Sequence, residues 1–280
     1  MIALVTHAAG KIKYWELWNE PQGGVYWTGT FAQMVRLAKD ARAIILSLDP
    51  NAILLSPGTG LQHRAVVWTT KYLAAGGGQY ADVIAAHGYV NGYCRDTPPD
   101  PTVIPRRVSS FRQMLKTYGQ AGKPLWITEG SWGESVPTCF TNQDAQAAFV
   151  AQFYLLYKSS GVQRLYWYAW DTGMRGTLWN GTTTLKPGIA YAQVASWLIG
   201  AGLSGCSATG TIWQCTLTRS GGYQALAVWD ASKTCTTSGC TTSVFTYPSQ
   251  YVSYRDLDGN SAKLIGTTVQ IGLKPILLEN

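Results

Sequence analysis

The chain has 280 residues, 46% of them hydrophobic, enough for one large core or for a medium and a small one. Net charge is +7, but the basic residues are scattered, with Arg106-Arg107 the densest pair, so no nucleic-acid partner is expected. The longest apolar stretches are strand-length, which excludes a membrane-spanning helix.

The first strand is predicted over 11–18. A helical period follows over 30–48 and stops at Asp49-Pro50, since proline cannot continue a helix. Then come a strand over 52–56, a helix over 63–75 closed by Gly76-Gly77-Gly78, a strand over 81–86, a helix over 107–118 and a strand over 124–128. Thr141 is expected to open the next helix, with Asp144 as a capping-box-like partner, running to about residue 160. A strand over 164–170 and a helix over 187–199 complete the series. Strand–helix alternation with apolar strands is the pattern of α/β architecture, with a parallel sheet covered on both faces. A barrel or a doubly wound sheet fits equally. No glycine-rich phosphate fingerprint follows any strand, and Gly58-Thr59-Gly60 reads as a turn.

After Gly200 the texture changes. Short strands are predicted over 213–218, 224–229, 243–247, 267–271 and 276–278, separated by Ser220-Gly221-Gly222, Pro248 and Asp258-Gly259-Asn260. The expected organisation is therefore 1–200 as one domain and 201–280 as a small antiparallel β-sandwich domain, with no low-complexity linker between them.

Of the six cysteines, Cys206/Cys215 and Cys235/Cys240 are close enough to form two local disulfides, and Cys94 with Cys139, both just past predicted strands, supplies a third candidate. No CxxC pair occurs and there are 3 histidines, so neither a metal nor any other cofactor is expected. Disulfides point to an oxidising, extracellular compartment. Met1-Ile2-Ala3-Leu4-Val5 is short and no small-residue cleavage site follows, so no signal peptide is read there. The 12 Trp and 16 Tyr set against only 13% charged residues suit a surface that meets sugars, though they suit an ordinary core as well.

Two carboxylates stand out. Glu20 follows the first predicted strand and Glu129 follows the strand over 124–128. In parallel α/β folds the ends of the strands form the functional face. Two carboxyl groups there suit glycoside cleavage, one protonating the leaving oxygen and the other attacking the anomeric carbon. Glu16, two strand repeats before Glu20, is read as an inward-pointing structural group that pairs with a base. Glu134 is read as loop surface.

The flanks bring a resemblance. Trp18-Asn19-Glu20-Pro21 and Thr128-Glu129-Gly130-Ser131-Trp132 resemble the acid/base and nucleophile motifs of clan A retaining glycoside hydrolases. His87-Gly88-Tyr89 is similar to that clan's His-x-Tyr, and Trp170, ending a strand before Leu178-Trp179-Asn180-Gly181, to its aromatic floor. The tail, with 253–260 and 274–279, resembles the β-domain of family 39-like enzymes. The resemblance implies a TIM-barrel type fold, Glu20 as acid/base, Glu129 as nucleophile and Asn19 on the sugar 2-hydroxyl. It also implies Tyr89 donating to Glu129, His87 near sugar hydroxyls or Glu20, Trp170 under the ring, and Trp132 and Trp179 at outer subsites. The implied partner is an oligo- or polysaccharide with β-linkages, cleaved by double displacement.

In that clan the acid/base follows the fourth barrel strand and the nucleophile the seventh. Residues 1–9 read as the end of the preceding helix, so the chain reads as an incomplete barrel, strands four to eight. A homo-oligomer covering the open side, a longer parent protein, or a rearranged fold are three ways to meet that. A non-catalytic carbohydrate-binding remnant is the alternative function, and a transglycosylase a third.

Overall fold

The computed structural model describes residues 1–8, 10–90, 98–133, 140–173 and 175–280. It resolves into two compact units, each drawn from several stretches of the sequence: Met1–Tyr89 with Arg106–Gly130 and Val162–Tyr166, and Val90–Pro105 with Ser131–Gly161 and Trp167–Asn280.

The first unit opens with α1 (Ile2–Ala8), which buries Val5 and Ala8. β1 (Tyr14–Glu16) is shorter than the sequence suggests and pairs in parallel with β2 (Ile53–Leu55), Glu16 opposite Leu55. Between them runs α2 (Phe31–Leu48). Its capping box is complete, the Thr30 hydroxyl accepting from the Gln33 N–H and the Gln33 amide oxygen from the Thr30 N–H. Met34, Ala38, Ala41 and Ile45, three or four residues apart, form its buried stripe.

β3 (Thr59–Gly60) continues the pass begun by β2 beyond Pro57, whose missing N–H interrupts the ladder. Gly58-Thr59-Gly60, expected as a turn, is therefore strand: Gly58 bridges Asn19 in parallel and Thr59 pairs with Ala86. After α3 (His63–Ala74) comes β4 (Ile84–His87), buried at all four positions. After α4 (Ile104–Thr117) comes β5 (Leu125–Gly130), and last β6 (Arg164–Trp167). The order β3-β4-β5-β6 is continuous, and bridges Asn19–Gly58 and Leu55–Val83 extend it to β1. The sheet curls strongly. The Arg164 guanidinium at one edge donates to the Tyr14 hydroxyl at the other (2.8 Å), lying 4.4 Å from the Tyr14 ring centre and 4.3 Å from that of Trp126. The strand expected to end at Trp170 ends at Trp167.

In the second unit, α5 (Gln143–Ser159) is apolar nearly all round, and Ala147 to Phe153 are buried without a break. Its cap is Asn142, whose side chain accepts from the Ala145 N–H, and not Thr141. Asp144 pairs instead with Lys186 (2.7 Å) and Lys274 (3.1 Å). α6 (Lys186–Leu198) packs beside α5, the Tyr154 and Tyr191 rings meeting edge to face at 5.4 Å.

Ten strands follow. β7 (Gly202–Thr209), β8 (Ile212–Thr218), β9 (Gln224–Asp230), β10 (Cys235–Thr236), β11 (Gly239–Cys240) and β12 (Thr242–Thr246) precede β13 (Ser253–Arg255), β14 (Ser261–Lys263), β15 (Thr268–Gly272) and β16 (Ile276–Glu279). The main sheet has the antiparallel order β14-β13-β16-β9-β8-β7, and β12 pairs with β15 in another. Leu226, Val228, Ile271 and Leu278 lie in their common core. Both local disulfides are formed: Cys206–Cys215 across a β7/β8 register pair and Cys235–Cys240 across β10/β11. Cys94, Cys139 and Glu134 lie outside the described residues. Among the described residues no helix is long and apolar enough to cross a membrane.

Candidate active site

Glu20 sits just past β1 in the left-handed region, φ 41° and ψ 51°, before Pro21 opens a short 3-10 turn. For a residue with a Cβ this conformation costs about 1–2 kcal/mol. Two backbone hydrogen bonds hold it: the Gly58 N–H donates to Trp18 and the Glu20 N–H to Gly58, both at 2.9 Å. Glu20 Oε1 lies 2.9 Å from Nδ1 of His87, the last residue of β4.

His87 is only 2% exposed. Burial disfavours its charge, but the hydrogen bond to Glu20 and the charges of Glu129, Glu20 and Glu16 outweigh that and hold the ring above its ordinary value. Glu129, near the end of β5, stands in register with His87, and its carbonyl accepts from the Gly88 N–H at 2.7 Å. Its Oε1 accepts from the Tyr89 hydroxyl, and its Oε2 lies 3.8 Å from His87 Nδ1. Tyr89 is in turn fixed by its carbonyl, which accepts from Gln62 Nε2 (2.9 Å) and Arg107 Nη1 (3.4 Å). One carboxylate oxygen of Glu20, one of Glu129 and one ring nitrogen of His87 all lie within 4.8 Å of one another.

Glu16 is closer to this group than a purely structural residue would be. Its Oε1 accepts from Thr128 Oγ1 at 3.1 Å. The residue as a whole is exposed, but its carboxyl stands in a crowded setting, and desolvation, with the Glu129 charge, pushes it up to about 6 against the opposing pull of His87 and Thr128. Gly58 makes room for this. A Cβ there would lie 2.1 Å from Glu16 Oε1 and 2.7 Å from His87 Nε2.

The structure thus brings Glu20, His87, Tyr89 and Glu129 together. Asn19 lies beside them, exposed, with its backbone bridged to Gly58. Trp132, expected at an outer subsite, is instead 2% exposed, packed edge to face against Phe140, Phe149 and Trp167 in the second unit. It has no free ring face for a sugar. Trp170 and Trp179, in the same unit, stack on each other at 6.3 Å and 12°, with Trp170 50% exposed. The sequence gives no site role to Gly58, Thr128, Gln62 or Arg107. A glycine inside a strand is the signal that could have found Gly58, because it marks a close approach.

The sequence profile described as the glycosyl hydrolase catalytic core matches residues 18–188, over half of the chain. The chain belongs to this glycosyl hydrolase family. Solved glycoside hydrolases have the same fold. A family 39 enzyme from the gut symbiont Bacteroides cellulosilyticus WH2 is 20% identical, with TM-score 0.72 over 99% of this chain and 60% of its own length. A family 39 β-xylosidase from Caulobacter crescentus is 16% identical, with TM-score 0.64 over 99% of this chain and 70% of that one. A Paenibacillus polymyxa xyloglucanase of family 44 is 12% identical, with TM-score 0.66 over 100% and 70%. This chain therefore spans between three fifths and seven tenths of those structures. No curated protein sequence matches it. The resemblance carried by 18–21 and 128–132 holds at the level of family and TIM-barrel fold.

Proposed function

We propose that this glycosyl hydrolase cleaves β-linked glycosides with retention of configuration. Glu129 attacks the anomeric carbon while Glu20 gives a proton to the departing oxygen. In the second step Glu20 takes a proton from water, the water oxygen bonds to the anomeric carbon, and Glu129 leaves. The observation that carries this reading is the spacing of the two carboxylates, whose oxygens come within 4.8 Å. A direct nucleophile needs carboxyl groups about 5–5.5 Å apart, whereas an intervening water needs about 6.5–9.5 Å. Tyr89, donating to Glu129, fixes the orientation of that carboxyl group.

Asn19 is assigned to the sugar 2-hydroxyl, and Trp170 with Trp179 to the ring faces of bound sugar. Residues 1–200 are read as the catalytic part and 201–280 as an appended β-domain, on the switch to strands alone after residue 200. The two disulfides favour an extracellular setting. β1 pairs on one side among the described residues, and a second copy over that edge is our reading of how it is covered.

The test is product release from aryl β-xylosides, aryl β-glucosides, xylan and xyloglucan, with Glu129→Ala in parallel and the first-formed anomer read by proton NMR. Turnover that vanishes in the variant, with a β-anomer released first, supports the proposal. A folded chain that binds sugar without turnover, with affinity unchanged in Glu129→Gln, identifies a carbohydrate-binding remnant instead.

A further inference from the structure

The geometry points to Glu16 as a third carboxylate of the site, a positioning residue that acts through His87 on the proton shared with Glu20. The inference rests on the reading of Glu20 as acid/base.

Three observations converge on it. First, the Glu16 side chain, although the residue is exposed, has a hydrogen-bond partner at the site. Thr128 Oγ1 donates to it at 3.1 Å, although β1 and β5 are separated in the sheet by the passes of β2–β3 and β4. Only the inward curl of the sheet lets those side chains meet. Second, Gly58 leaves open the one point that both Glu16 Oε1 and His87 Nε2 crowd, 2.1 Å and 2.7 Å from where a Cβ would stand. Glu16 therefore faces the Nε2 edge of the imidazole, while Glu20 faces Nδ1 at 2.9 Å. Third, the imidazole is 2% exposed, so solvent screens these charges weakly.

The titratable groups facing His87 are Glu16 from β1, Glu20 from the segment after it and Glu129 from β5; those facing Glu16 are His87 and Glu129. One proton lies between His87 Nδ1 and Glu20 Oε1. On nitrogen it leaves an imidazolium and a Glu20 carboxylate. On oxygen it leaves a neutral imidazole and the acid form of Glu20 that can protonate a leaving group. Ionised Glu16 favours the first arrangement and strengthens the hold of the pair on its proton. Neutral Glu16 favours the second. Glu16 thus sets the pH at which the pair loses its proton, without touching the sugar.

The test is Glu16→Gln, which keeps an acceptor for Thr128 and removes the charge. Its first readout needs no turnover. The sequence has 3 histidines, His7, His63 and His87, so the His87 imidazole can be followed by nitrogen-15 NMR and assigned with His87→Gln. Removing a unit charge at this range should lower the His87 pKa by about one unit or more. The alkaline limb of kcat/KM should move to lower pH by a similar amount, with KM little changed. An unmoved His87 titration in a folded Glu16→Gln chain overturns the inference. Should that variant fail to fold, Thr128→Val replaces it. Without the donor that favours ionised Glu16, His87 must move in the same direction by less, and no movement overturns the inference equally. A wild-type chain with no turnover refutes the proposed function alone, since the NMR titration still decides the role of Glu16.

Discussion

Gly58→Ala tests the packing that holds the site together. The added Cβ would meet Glu16 Oε1 at 2.1 Å, His87 Nε2 at 2.7 Å and His87 Cδ2 at 3.1 Å. Glu16 is exposed and can swing aside, but His87, 2% exposed, has nowhere to go without moving its neighbours. Overpacking of this kind costs about 1–3 kcal/mol, and one yielding neighbour places the expected loss near the lower end. For a chain of this size that corresponds to a fall of roughly 2–4 °C in Tm. Catalysis should suffer more. A displacement of the ring by a few tenths of an ångström stretches its 2.9 Å contact with Glu20 and turns the acid away from the leaving oxygen. We expect kcat/KM to fall by about 10–100-fold. The loss should be steepest for alkyl leaving groups, which need the proton, and shallow for activated nitrophenyl ones. Thermal unfolding by circular dichroism and a leaving-group series on one sugar separate the two effects. An alanine variant with wild-type kcat/KM on the poor leaving group would refute the reasoning, whatever its Tm.

Tyr89→Phe removes the hydroxyl that donates to Glu129. A hydrogen bond to a charged group contributes about 1.5–3 kcal/mol, so kcat/KM should drop by roughly 10–150-fold, and a drop under about threefold would mean that Glu129 is held by other groups. Asp230, 4% exposed, accepts from the Ser232 N–H (3.0 Å), the Ser232 hydroxyl and the Ser243 hydroxyl (both 2.7 Å). Although burial works against its charge, these donors hold its carboxyl well below the usual range, so its contribution is present above the unfolded value and lost as pH falls through the folded one. Asp230→Asn should therefore lose about 2–3 kcal/mol in urea melts at pH 7 and progressively less below about pH 4; an equal deficit at both pH values would contradict this. Replacing Cys206 and Cys215, 9 residues apart in sequence, with serine pairs should destabilise the chain by about 2–3 kcal/mol, and a change under about 0.5 kcal/mol would show that the β7/β8 pairing needs no cross-link.

Much of the alternating part was legible because its signals are local. Thr30 with Gln33 caps α2 and Pro50 lies just past its end, so the observed helix differs from the predicted one by a single residue. The triple glycine at 76–78 closes α3 in the same way. Where two local signals compete, the sequence does not decide: Thr141 and Asn142 are both good caps, and in the fold Asn142 caps the helix while Asp144 pairs with Lys186 and Lys274. β7, Gly202–Thr209, escaped because its two glycines, serines and alanine lack strand propensity; pairing with β8 and the Cys206–Cys215 bridge hold it. At the candidate site, Glu20 and Glu129, singled out by their position at strand ends, lie close together. Gly58 was not singled out, since a glycine looks the same whether it turns the chain or clears space for two side chains. Trp132 shows the opposite failure. Its place just after the strand that carries Glu129 suggests a ligand platform, but the aromatic neighbours that bury it, Phe149 and Trp167, are distant in sequence.

The left-handed backbone at Glu20 has a bearing on how such chains diverge. Glycine, and to a lesser degree asparagine, adopts φ 41° more readily than glutamate, so folding alone favours glycine there by about 1–2 kcal/mol and asparagine by less. A library randomised at this codon and sorted only for soluble expression should drift away from glutamate, while one sorted for turnover should keep it. The side chain at position 20 then serves as a record of which demand a lineage has been living under.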